Sequence, residues 1–485
     1  MTSEPVARRQ ARRVVTVVLS LACMTAQATS VVIDIDPTEP ANTGFTDPTP
    51  RTALPDNPGT TLGAQRLYVF QTAANQWGNL INSAVTIRVL AKMVGLTCNG
   101  TTATLGSAGP HTAFANFPSA PKGNTFYAVA EANALAGSDQ DPAADDIDAS
   151  FNVTLDSGTC LNGTTGWYYG TNPANPVPSG TVPLMPVIFH ELGHGLGFIS
   201  LTNPATGALP AGIPDIWAYY QYDLQTGSTW AGMSDAQRAA SALNDPNLIW
   251  AGKATNAQAP AFMKPTPQQV LLTAPTRLAA PYPAGAAQFG PALTSAGIAG
   301  NVVLAMNGSA TDGCTAITSS VSGKLALIDR GTCSFTIKVK NAQNAGAAAA
   351  LIANNAPGLF TMTGSDPSIT IASLLVTQEL GSLIKTALGS GTVSATLSTG
   401  NQAAATKQGC VRQYAPPVLE QGSSVSHFHS DAYPGLLMGP VLNETIFNHV
   451  DLTLPLFKDI GWSTNIDDLL FYDGFDGNPC AVVQP

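Results

Sequence analysis

In the stretch HELGHGLGFIS, residues 190–200, two histidines stand four apart and a glutamate directly follows the first. On a helix, positions four apart share a face, so His190 and His194 can aim their imidazoles at one ion. Glu191 is rotated off that axis, where a carboxylate reaches water on the ion without being a ligand. Neutral imidazole nitrogen suits Zn2+, and two ligands on one turn leave coordination positions for groups from elsewhere. The chain has six histidines and seven glutamates in 485 residues. Random placement of these gives about 0.001 such triplets, so a buried helix with two satisfied histidines is the weaker account. Ser200, the next polar side chain on from the triplet, is a poor zinc ligand. A third protein ligand must therefore come from further along the chain.

Four histidines remain: His111, His427, His429 and His449. His427 and His429 lie two apart in GSSVSHFHSDAYPGLLMGP, and on a strand both would share one face, so either ring could approach the metal. Glu444 is a rival of a different type: NETIFN resembles the helix that supplies a glutamate ligand in thermolysin-like enzymes, although the serine and aspartate companions of that helix are absent.

The elements that must position these groups are legible in part. Leu67, Phe70, Ala74, Trp77 and Ile81 recur at helical spacing, which predicts a helix with one apolar face. The run AVTIRVLAK alternates Val85, Ile87 and Val89 with polar neighbours, as a half-buried strand does. A second alternation, Ile147, Ala149, Phe151, Val153 and Leu155, predicts another strand in residues 146–156. Pro186 stands near the start of the histidine helix, where a missing N–H is harmless, and Gly197 is placed to end it in a left-handed cap. Residues 301–398 then alternate strand-like and helix-like runs, which reads as a small α/β unit. Residues 214–224 and 233–250 are expected to flank the cleft.

Composition narrows the setting. The opening ARRQARR, the apolar run VVTVVLSLACMTA and Ala26-Gln27-Ala28 follow the basic, apolar, small-residue order of a secretory signal, with cleavage expected after Ala28. That apolar run is short for a membrane span, and no second long one follows, so a mature protein without a membrane span is expected. With 11% charged residues and a net charge of −10 the chain lacks the basic face that nucleic acid requires. Beyond the signal stand Cys98, Cys160, Cys314, Cys333, Cys410 and Cys480, an even count that points to disulfides in an exported chain. Fifteen connectivities are open; proximity in sequence favours Cys314–Cys333. The acidic runs SDQDPAADDID and DGFDGN could hold Ca2+, but solvated loops are the better account of them.

Two segments resemble known families. The helix motif ending in Gly197-Phe198, a long insertion, then His427 with Met438 eleven residues beyond it, is similar to the leishmanolysin-like metzincins, zinc proteases in which a methionine turn underlies the metal. The resemblance implies His427 as third ligand, Met438 as that methionine, and 146–156 as the substrate-binding edge strand ahead of the helix. The compact metzincin pattern carries a third histidine where Ser200 stands, and the segment after the long insertion would supply His427 instead. GKLALIDRGTCSFTIKVKNAQNAGAAAALIANN resembles the protease-associated (PA) domain found in many secreted peptidases. The expected fold is therefore α+β: a metzincin-like zincin catalytic domain holding an inserted α/β PA domain. The expected boundaries are a signal peptide at 1–28, catalytic parts at 29–267 and 403–468 around an insert at 268–402, and a tail at 469–485. That division favours Cys98–Cys160 and Cys410–Cys480 as the other pairs. The expected function is a secreted, extracellular or periplasmic zinc endopeptidase acting on protein or peptide, with one catalytic Zn2+ on His190, His194 and His427 and Glu191 as general base. A catalytically inactive metal-binding scaffold, or a protein that binds proteins or surfaces through the insert, are the readings from other classes.

Overall fold

The computed structural model describes residues 29–465, apart from 159, 264–267, 295, 357, 400–403, 407–408, 442–446 and 448–449. The expected signal peptide, Glu444, His449, Cys480 and the acidic run DGFDGN lie outside the described residues.

The first unit is built on a four-stranded sheet and the helices packed against it. Its parts are β1 (Val31–Ile35), α1 (Leu62–Leu80), β2 (Ile87–Val94), β3 (Gly106–Pro110), α2 (Val129–Ala136), β4 (Ile147–Asn152) and α3 (Leu184–Gly195). The strand order is β1-β2-β4-β3. β1, β2 and β4 run parallel and β3 alone is antiparallel, at one edge. Alternation sets the inward face: Ile87, Val89, Ala91 and Met93 of β2 and Ile147, Ala149 and Phe151 of β4 are buried. Thr61 caps α1 by accepting from the Ala64 N–H. Helix α1 turns Phe70, Ala74 and Trp77 inward, and its Trp77 ring stacks on Phe189 of α3 at 4.7 Å. The Trp77 Nε1–H also donates to the Phe189 carbonyl at 2.9 Å, which fixes the two helices lengthwise as well as face to face.

The second unit is a seven-stranded sheet. Its parts are β5 (Gln269–Ala274), β6 (Pro281–Pro283), β7 (Ile298–Leu304), β8 (Leu325–Asp329), α4 (Phe335–Asn344), β9 (Ala349–Ala353), β10 (Ala372–Val376), α5 (Gln378–Leu388) and β11 (Val393–Ser398), in the order β6-β5-β11-β7-β8-β9-β10. β7 to β10 are parallel, and both faces are covered. Leu325, Leu327, Leu351 and Leu374 enter one apolar cluster, while Ala326, Ile328, Ala350 and Ile352 enter the other. Burial on both sides explains why these strands read as continuous apolar runs and not as alternations. The first and last strands, β5 and β11, pair antiparallel with Gln269 opposite Ser398, so the unit begins and ends at one place.

Beyond it, residues 411–413 bridge to Ile249 and Phe428, and α6 (Thr453–Ile460) returns to the first unit. Phe457 of α6 packs on Trp77 at 5.4 Å, and the Trp462 Nε1–H donates to the Leu196 carbonyl at 2.9 Å. The chain that leaves the first unit after α3 is thus stitched back onto both α1 and α3. Among the described residues no helix is long and apolar enough to cross a membrane.

Candidate metal centre

Helix α3 carries His190 and His194 on one face, as their spacing requires, and the segment after the second unit brings His427 to them. The three Nε2 atoms lie 3.1 to 3.2 Å from one another. His194 and His427 are 7% and 4% exposed, and His190 and Glu191 are half-buried at the floor of a cleft. Each Nδ1 faces a main-chain carbonyl: Leu437 for His190, Phe198 for His194 and Ser423 for His427, at 2.7 to 2.8 Å. A carbonyl only accepts, so each Nδ1 carries the proton and each neutral ring turns a bare Nε2 lone pair inward. Three lone pairs cannot hydrogen-bond one another, and at this spacing they repel unless a cation lies between them. Tetrahedral zinc with Zn–N bonds near 2.05 Å separates its nitrogens by about 3.3 Å, close to what is seen. The donor set therefore fits a zinc ion, and carbonyl partners on the outer nitrogens are the usual way ligand tautomers are fixed. Burial pushes all three imidazoles below their ordinary pKa, reinforcing the neutral form that ligation needs. Among the described residues this is the one group of three or more His, Cys, Asp or Glu side chains close enough to share an ion. The acidic run at 138–148 forms none.

Glu191 points from the same helix toward the sheet edge, where its Oε2 accepts the Ala108 N–H at 2.9 Å. Burial pushes its carboxyl up to about 7, against the downward pull of that hydrogen bond. A carboxylate tuned near neutrality can both take and return a proton.

Met438 is fully buried beneath α3. Its Sδ would lie 2.8 Å from a Cβ built on Gly193, and Trp77 Cζ2 would lie 3.6 Å away. The glycine between the two histidines is thus what lets the methionine turn approach. The Phe428 N–H donates to the Met438 carbonyl at 2.9 Å, joining that turn to the histidine segment. Gly193→Ala is accordingly expected to overpack this contact at a cost of about 1–3 kcal/mol, read as a lowered Tm. An unchanged Tm would mean that the turn gives way freely.

The edge strand differs from expectation. β4, at 147–152, is paired on both sides and cannot receive a peptide; the free edge belongs to β3. The reason is that Gly106–Pro110 folds back antiparallel over β4, which the alternation within β4 does not disclose. Asn152 N–H donates to Leu105 O and His111 N–H to Asp146 O, so odd-numbered residues of this segment pair with β4. Gly106 and Ala108 then turn their main-chain groups outward, as the Ala108 bond to Glu191 shows. The segment TTATLGSAGP has no apolar period, so its sequence held no strand signal; Gly106 is a partial one, since a Cβ there would meet Glu191 Cγ at 2.9 Å.

His429 is not near the centre. Its Nε2 lies 2.8 Å from Arg412 Nη2 and 3.2 Å from Asp245 Oδ1, within a buried ionic cluster. Sharing a face with His427 leaves the two rings a strand repeat apart, and each meets a different neighbour. Ser200 lies on the cleft wall, but its hydroxyl donates to Gln221 Oε1 at 3.4 Å. Cys98–Cys160 and Cys314–Cys333 are disulfides in the structure. The first ties the hairpin leading into β3 to the loop carrying Leu161, and both line the cleft.

The cleft has a volume of about 960 Å³. One wall is 101–108, the floor is α3, and the far wall is 421–427 with Leu437, Pro440 and Val441. Among the described residues Glu191 is the one carboxylate in its lining, and no Lys or Arg lines it.

The family model of the PA domain matches residues 298–384, inside the second unit, so the protein is a mixed α/β chain that contains a PA domain. Vacuolar-sorting receptor 2 of Arabidopsis thaliana is 48% identical over 75 residues, covering 13% of this chain and 12% of the receptor. Signal peptide peptidase-like 2 of the same plant is 40% identical over 91 residues, covering 18% of this chain and 17% of that protein. The chain thus spans less than a fifth of the length of these curated relatives. Among solved structures, BSAP, a zinc aminopeptidase from Bacillus subtilis, aligns over 28% of this chain and 31% of its own at 23% identity, with a TM-score of 0.21. An aminopeptidase from Aneurinibacillus sp. strain AM-1 aligns over 38% and 41% at 18% identity, with a TM-score of 0.23.

Proposed function

We propose that this protein is an exported zinc-dependent endopeptidase of metzincin type, with His190, His194 and His427 as ligands and Glu191 as general base. The PA domain, inserted within about 268–402, interrupts the catalytic chain between the second ligand and the third. The observation that carries the reading is the convergence of three Nε2 lone pairs whose rings are locked by main-chain acceptors. A bound Zn2+ would supply Lewis acidity toward a scissile carbonyl and lower the pKa of water to about 7.

The chain's own groups do the rest. Glu191 takes the proton of the attacking water and returns it to the leaving nitrogen. The Ala108 N–H holds Oε2 at the cleft wall while that happens. Gly106 presents its N–H and C=O, and Ala108 its C=O, along the free edge of β3, so an extended peptide can pair there and lie across the three histidines. Capture of a free α-amino group calls for an acidic partner, and among the described residues the cleft lining offers no carboxylate beyond Glu191. That favours cleavage within a chain over removal of its first residue. Cys98–Cys160, Cys314–Cys333 and the expected signal peptide suit export.

Chelation by 1,10-phenanthroline is expected to abolish hydrolysis of a peptide blocked at both ends, and stoichiometric Zn2+ to restore it. Activity that persists in metal-free protein would remove the zinc mechanism. Cleavage confined to peptides with a free N-terminus would replace the endopeptidase reading by an aminopeptidase.

A further inference from the structure

The segment that delivers His427 contains a backbone outlier. Val425, β-branched and buried, has φ of 61°, in the left-handed region that such residues avoid. Its carbonyl accepts from two buried side chains, Gln221 Nε2 at 3.1 Å and Trp217 Nε1 at 3.3 Å. Its N–H donates to the Tyr414 carbonyl at 2.7 Å. Gln221 is fully buried and oriented in turn by Ser200, whose hydroxyl donates to the Gln221 Oε1 at 3.4 Å. The Ser200 N–H donates to Ser426 Oγ at 3.1 Å, a second tie to the same turn. The reversal at Val425 brings the Ser423 carbonyl back to His427 Nδ1 at 2.8 Å, the bond that aims the ring at His190 and His194.

We propose that Gln221 is a positioning residue for the third ligand: with Trp217 it holds the carbonyl of Val425 and so the strained turn there, and Ser200 sets the Gln221 amide for that task. Ser200 lines the cleft, whereas Gln221 and Trp217 stand behind its wall. Ser200 thus serves the centre indirectly, by helping to hold the loop that brings in a distant histidine. The proposal rests on the metal reading above.

The test loads metal-free protein with Co2+, whose visible spectrum reports coordination geometry, and measures zinc affinity by competition with a chelator. Gln221→Leu, which removes the amide at similar size, is expected to weaken zinc binding about tenfold or more and to alter the Co2+ spectrum. Adding Val425→Gly, which adopts positive φ without strain, is expected to restore affinity to within about threefold of the parent. A purely structural Gln221 would lower Tm and leave the folded protein's zinc affinity unchanged, and that result overturns the proposal. So does a double variant that binds as weakly as the single one. If Gln221→Leu alone fails to fold, the double variant must fold and give the parental Co2+ spectrum; its failure also overturns the proposal. A parent protein that takes up no stoichiometric Co2+ is a distinct result and overturns the metal reading itself.

Discussion

Replacing Glu191 with glutamine is expected to leave zinc binding stoichiometric and to reduce peptide hydrolysis by roughly 10²–10⁴-fold, the usual contribution of a positioned general base. The substitution is gentle on the fold. Glutamine keeps the shape and an oxygen that can accept the Ala108 N–H, and burial already favours an uncharged carboxyl at this position, pushing it up to about 7. What is lost is the basic oxygen. Metal analysis after dialysis, alongside single-turnover hydrolysis, separates the two effects. Near-normal turnover with glutamine at 191 would remove this residue from the mechanism, and loss of zinc would recast it as a ligand.

His427→Ala is expected to cost metal and activity together. Removing a partner of a ligand typically costs 10–100-fold in metal affinity, so removing a ligand outright should cost more than about 100-fold. Three companions give the comparison its edge. His429→Ala should retain zinc, because its ring bonds Arg412 and Asp245 and not the metal. Glu444→Ala should retain it as well, and Ser200→Ala should lower affinity only slightly, since the Gln221 contact it supports is long and Trp217 remains. Zinc content after dialysis separates His427→Ala from the other three. Tight zinc in His427→Ala with loss in either His429→Ala or Glu444→Ala would transfer the third position to that residue.

Sequence reasoning read the fold where local chemistry and tertiary demand agree. α3 was legible because ligand spacing and helical period coincide at His190 and His194. The second unit was legible because its strands, buried on both faces, are continuous apolar runs, and the PA domain match at 298–384 falls within it. The edge strand was not legible. Gly106–Pro110 owes its conformation to pairing with β4, not to its own residues, and the alternating run at 147–155 drew the assignment to the strand beside it. At the candidate centre, residues two apart share strand parity, so period alone could not divide His427 from His429; the Asp245–Arg412 pair, more than 160 residues away in sequence from each other, divides them. Nothing in the type of Val425 or Gln221 marks them, because an unfavourable φ and a buried amide are visible only where the chain has already folded.

The pairing of Gln269 with Ser398 has a consequence in time. His194 and His427 are separated by 233 residues, of which 129 lie between that strand pair. Once β5 and β11 have met, the loop to be closed is more than halved, and its closure cost falls by about 0.7 kcal/mol. Synthesis runs from the N-terminus, so the HELGH helix is made long before residue 427 exists. A ribosome-bound chain can form α3 against the sheet, yet it holds two imidazoles and no third. The order of synthesis is fixed by connectivity: α3 comes first, the strands of the second unit next, and the segment carrying His427 after both. If the centre works as proposed, an assembly delay is written into its connectivity: it can cut nothing, including its own unfinished chain, until residue 427 has been made.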